Sequence, residues 1–86
     1  MEKEIDISLR NLGTVNKNRV TITTPKGSVD LYFNYSTFVA VDGLVSENQW
    51  SKTTGKLLNE LQPDKKARVP NEEVLAKAQE RLKAIL

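Results

Sequence analysis

The chain opens on a strict alternation, with Ile5, Ile7 and Leu9 separated by Asp6 and Ser8 and flanked by Glu4 and Arg10. A period of two is the signature of a strand with one apolar face, so residues 4–10 are expected to bury that face in the core. Residues 11–18 hold Gly13 among several Asn and Lys positions and read as a loop. Residues 19–24 are rich in β-branched side chains, and residues 28–33 set Val29, Leu31 and Phe33 opposite Asp30 and Tyr32. Between them Pro25-Lys26-Gly27 supplies a tight turn, Pro presetting φ and Gly accepting a positive one, so the two runs form a hairpin. Asn34-Tyr35-Ser36 is either a second turn or a bulge in a longer strand. Residues 37–41 are again strand-like. Asp42-Gly43 is expected to form a type I′ turn that returns residues 44–47 against 38–41.

The period then changes. Trp50, Thr54, Leu57 and Leu61 stand at i, i+4, i+7 and i+11, with Leu58 widening the stripe, which is one face of a helix. Asn48 or Ser51 is its N-cap, Thr53, Thr54 and Gly55 weaken its first turns, and Gln62-Pro63-Asp64 ends it. A polar connector follows over residues 65–69. Pro70 suits a first helical position, with Asn71, Glu72 and Glu73 beside it, and Leu75, Ala78, Leu82 and Ile85 form the buried stripe of a last helix. Glu73 and Lys77 are placed to pair on its outer side. The fold class expected is α+β: an antiparallel β-meander of four to five short strands over residues 4–47, then two amphipathic helices over 50–61 and 70–86. Residues 1–86 read as a single domain.

Composition narrows what such a domain can do. With 86 residues, 38% hydrophobic and 28% charged, the chain suits one folded domain with a small core. It contains no Cys and no His, which removes disulfides, thiolate metal sites, the usual zinc ligands and both Ser–His and Cys–His catalysis. Its four glycines stand singly, so there is no phosphate-cradling loop. Ser51-Lys52 and Thr54 near Lys56 are the nearby hydroxyl–amine pairs, and both lysines sit among polar neighbours that would not lower an amine pKa. No catalytic residue, metal or cofactor is expected, and the protein is not expected to be an enzyme. No run approaches the roughly 18 apolar residues of a membrane span, and the charged, alternating N-terminus is unlike a signal peptide. A cytoplasmic location with no membrane contact is therefore the expectation.

Net charge is +2, too small to identify a nucleic-acid binder, but its distribution is uneven. Lys52, Lys56, Lys65, Lys66 and Arg68 crowd one stretch that holds only Glu60 and Asp64 as acids. Lys52 and Lys56 share a helix face, and the other three follow at its far end. Together they form either a strip that tracks a DNA or RNA backbone through charge, or a solvated polar face. Tyr32, on the outer side of the sheet with Arg19 or Lys26 nearby, and Tyr35 either stack a base or cover a neighbouring strand. Trp50 is either a core anchor between helix and sheet or a stacking platform.

Phe33, Tyr35, Thr37, Val39 and Ala40, followed by Trp50, Ser51, Thr53, Thr54, Lys56 and Asn59, carry a resemblance. Over residues 20–61 the chain resembles small uncharacterised proteins of phages, archaeal viruses and plasmids that share the pattern F-x-Y-x-T-x-V-A … W-S-x-T-T-x-K-x-x-N. Many members carry His where Leu57 stands here, so any role of that His is missing. The resemblance implies a viral or mobile-element accessory protein. It also implies that Tyr35, Trp50, Ser51, Thr53, Thr54, Lys56 and Asn59 act as one constellation, structural or binding. Two functions remain: a nucleic-acid binder with little sequence readout, using the 52–68 strip, or a protein-interaction module. The second would be a homodimer or host-factor binder working through a sheet edge (4–10 or 44–47) or the apolar end of the last helix.

Overall fold

A computed structural model of the chain describes residues 4–13, 15–48 and 52–86. Five strands run in chain order as an antiparallel meander: β1 (Asp6–Asn11), β2 (Lys17–Thr24), β3 (Gly27–Asn34), β4 (Thr37–Val41) and β5 (Leu44–Val45). Helix α1 (Lys52–Leu61), a 3-10 turn (Lys65–Ala67) and helix α2 (Asn71–Ile85) follow. The expected α+β architecture is the one observed. β1 and β2 extend further into the 11–18 segment than the loop expectation allowed, pairing Asn11 with Asn18.

Strand register sorts the side chains onto two faces. Ile7 lies opposite Ile22 and Leu9 opposite Val20, and these continue through Val29 and Leu31 to Val41. On that face Val29 and Val41 are buried with Val74, Ala78 and Ile85 of α2, and Ile22, Leu31, Phe38, Leu44 and Leu82 pack around them. The opposite face carries Tyr32, Ala40 and Val45, covered by Leu57 and Leu58 of α1. The two helices therefore take opposite faces of the sheet. A register shift at Tyr32/Phe33 leaves Val39 as an extra residue in β4, so that Val39 and Ala40, adjacent in sequence, join the same buried cluster.

The turns depart in detail from the expectations. Asn34-Tyr35-Ser36 is a turn, and the bulge lies instead at Val39. Asp42 takes φ 50° while Gly43 does not share the positive φ, so the β4–β5 turn is not type I′, which needs both. Side-chain chemistry explains the exchange: Asp42 Oδ1 accepts the Asp30 N–H and Oδ2 accepts from Arg81 of α2, which fixes the aspartate in place. Gly27, at φ 147°, ends the Pro25-Lys26 turn as expected. In α2 the inward stripe begins at Val74 rather than Leu75, which is 49% exposed. Pro70 precedes the first helical residue, and Lys77 pairs with Glu80 rather than Glu73.

The largest departure is β1. All six of its residues are exposed, with Ile7 67% and Leu9 69% accessible, and Ile5 just before it is 49% accessible. The alternation does mark a strand, but its apolar face is not buried, because α2 lies over β3, β4 and β5 and stops short of β1. Width accounts for this. A helix with its side chains is about 10–12 Å across while five strands at about 4.8 Å span about 20 Å, so α2, seated over β3 to β5, leaves the β1 edge uncovered. No helix among the described residues is long and apolar enough to cross a membrane.

Candidate functional site

One member of the expected basic strip, Arg68, is taken up by structural hydrogen bonds, while three of its lysines are exposed. Lys56 is exposed on α1, and Lys65 and Lys66 are exposed in the 3-10 turn. Arg68 is only 8% exposed: its Nε donates to the Gln62 carbonyl at 3.0 Å and an η-nitrogen to Asn59 Oδ1 at 2.6 Å. It staples the end of α1 to the chain that follows and so leaves the strip. The two acids near it are also engaged, Glu60 with Lys17 at 2.7 Å and Asp64 as acceptor for the Lys66 N–H. Tyr32 is half-buried against the α1 cluster rather than on an open face, with Arg19 directly opposite on β2 and Lys26 away at the hairpin turn. Tyr35 is 66% exposed at the tip of the β3–β4 turn, in the left-handed region at φ 55°.

The motif constellation is in good part structural. Thr54 is buried and its Oγ1 accepts from Asn34 Nδ2 at 2.8 Å, while Asn34 Oδ1 accepts from Asn16 Nδ2 at 2.7 Å. This chain of amides ties the β1–β2 loop, the end of β3 and α1 together. Its members Asn16 and Asn34 were not singled out in the sequence, although Asn34 sits between Phe33 and Tyr35. Asn59 is the acceptor for Arg68. Trp50 and Ser51 lie outside the described residues, as do the side chains of Lys52 and Thr53.

A cleft of about 310 Å³ is lined by Glu47, Asn48, Gly55, Asn59, Lys65 and Arg68. Gly55 permits the close approach there, since a Cβ would stand 2.9 Å from Asn48 Nδ2. The cleft gathers Asn59, Lys65 and Arg68 from the expected residues, but Glu47 opposes the two cations and Asn59 and Arg68 bond each other. Among the described residues no group of three or more acidic, His or Cys side chains is gathered for a metal.

The surface with the clearest unmet physical demand is β1. Leu12 donates its N–H to the Lys17 carbonyl at 2.8 Å, in the register that pairs β1 with β2. Antiparallel strands alternate residues that bond inward and outward, so the even residues of β1 bond β2 while Ile7 and Leu9 direct N–H and C=O away from the sheet. The same two residues, with Ile5 just before the strand, carry exposed apolar side chains. At the far edge β5 is closed by the segment after the 3-10 turn: Val69 donates to Val45 and accepts from Glu47. Edge strands are commonly guarded by Lys, Pro or an inward charge. The apolar face of β1 has none.

Residues 4–76 match the model of a family of unknown function, DUF8033. Neither a curated protein nor a solved structure matches the chain.

Proposed function

The chain belongs to the DUF8033 family of unknown function, and for this member we propose a protein-interaction module that docks a partner strand on the open edge of β1. One observation carries the reading: Ile7 and Leu9 present apolar side chains and outward-directed backbone groups on the same edge strand, with exposed Ile5 just before it. An added strand satisfies the backbone groups and covers the flanks of the side chains together, as in recognition by β-augmentation. The role is non-catalytic and needs no cofactor. The motif at Tyr35 and residues 50–59 supports a phage, archaeal-virus or plasmid setting, and the proposed place of action is the cytoplasm.

A photo-crosslinking residue at position 7, with one at the exposed Glu72 as control, tests the reading in cells that carry the protein. Polypeptide adducts are expected at position 7 and not at 72. Equal labelling at both sites, or none at position 7, defeats it.

Nucleic-acid contact is the second reading, favoured by the exposure of Lys56, Lys65 and Lys66. It now rests on these three, on Lys52, whose side chain lies outside the described residues, and on Tyr35, without Arg68 or Tyr32. Binding to DNA or RNA that falls steeply with added salt, and that is lost on reversing all three lysines, would establish it.

A further inference from the structure

Resting on that reading of β1, we propose that the docked strand is the β1 of a second copy of this chain, paired antiparallel about Ile7. The strand is self-complementary. Turned end for end about Ile7, it sets Glu4 against Arg10, Ile5 against Leu9, Asp6 against Ser8 and Ile7 against itself. Every apolar side chain then meets an apolar one, and each copy contributes an opposite-charge pair.

Neighbouring registers are worse. A shift that breaks the parity sets apolar against polar positions on opposite faces. Centring on Asp6 opposes two aspartates; centring on Ser8 keeps an Asp6–Arg10 pair and Ile7 against Leu9, but sets Ile5 against Asn11 and leaves Glu4 without a cation opposite. The backbone excludes the parity-breaking shifts, because Ile7 and Leu9 point N–H and C=O outward, and the odd residues are the ones that exchange hydrogen bonds in the Ile7 register.

Such a pair is an isologous two-fold contact, the commonest closed symmetry. It joins two five-stranded sheets edge to edge and stops there, since the β5 edge of each copy is closed by Val69. Both α2 helices fall on the same face, one on each side of a shared trough formed by Ile5, Ile7, Leu9 and Val20 of the two copies. The charged side chains Glu4, Asp6 and Arg10 stay on the opposite face.

The purified chain, followed by sedimentation velocity over a concentration series, is expected to pass from monomer to dimer. Glu4→Arg should raise the dimer dissociation constant roughly tenfold, from two like-charge pairs, and Glu4→Arg with Arg10→Glu should restore it. Because the chain has no Cys, Ile7→Cys provides a single reporter that lies on the two-fold. Hydrogen-bonded partners are about 5.5 Å apart at Cα, so a short bismaleimide that joins two neighbouring thiols should trap a covalent dimer, and Glu72→Cys should not. A monomer at every concentration overturns the proposal, as does a dimer that Ile7→Cys fails to trap. If the chain is monomeric yet position 7 still captures another polypeptide in cells, the second copy is wrong and the docking edge stands. If position 7 captures nothing as well, both fail.

Discussion

Asn34 Nδ2 and Thr54 Oγ1 meet at 2.8 Å in the interior, joining the last residue of β3 to the first turns of α1. Replacing Thr54 by Val keeps the shape and removes the acceptor. The buried amide then loses a partner it cannot replace with water, at a cost of about 1–3 kcal/mol. Urea unfolding of Thr54→Val should show that loss as a lower midpoint at unchanged slope. A change of only a few tenths would mean the contact does not help hold α1 on the sheet.

Arg68 separates a structural from a binding role. Its two hydrogen bonds, to the Gln62 carbonyl and Asn59 Oδ1, predict that Arg68→Ala lowers stability by roughly 1.5–3 kcal/mol. Arg68→Lys should recover little, because an ammonium cannot reproduce the two-direction fork of a guanidinium. Lys66→Ala, at an exposed site, should stay within about 0.5 kcal/mol. Equal, small effects at both positions in thermal melts would return Arg68 to the surface strip.

Tyr35 holds a left-handed backbone, φ 55°, with its ring exposed. A non-glycine residue there costs about 1–2 kcal/mol, part of which glycine returns as unfolded-chain entropy. Tyr35→Gly is therefore expected to stabilise the fold by about 0.5–1 kcal/mol. Destabilisation by a similar amount would show that the ring packs in a way its exposure does not suggest.

Thr24 closes the C-terminal end of α2. Its hydroxyl donates to the Ile85 carbonyl at 2.6 Å and accepts from the Lys26 N–H at 3.1 Å. Carbonyls in the last turn of a helix have no partner within it, so Thr24→Val should cost about 1–2 kcal/mol. Amide exchange in the last turn of α2 should speed up with it. Unchanged exchange there would show the helix end is held by packing alone.

Ile7 and Val29 lie on the same face of the sheet and are predicted to behave oppositely. At a dilution where the chain is monomeric, Ile7→Lys should change stability by no more than about 0.5 kcal/mol, since the side chain already meets water. Val29→Ala, in a fully buried site, should cost about 2 kcal/mol. A large loss from Ile7→Lys under those conditions would place β1 in the monomer core.

Strand periodicity, the Pro25–Gly27 and Asp42-Gly43 turns and the two helical stripes are local properties, readable because each depends on spacing within a few residues. They suffice for the order of elements and the α+β class. Which face each helix covers is another matter. It depends on the path of the chain after β5, and the alternation at Ile5, Ile7 and Leu9 looks the same whether a helix lies over it or not. The same holds for Tyr32, whose side of the sheet was legible while the helix on that side was not. Arg68 read as one more surface cation because its partners, Asn59 and the Gln62 carbonyl, come within reach only when the connector folds back on α1. The sequence by itself determined a strand with an apolar face at 4–10. Tertiary structure alone decided that this face stays open, because α2, seated over β3 to β5, leaves the β1 edge uncovered.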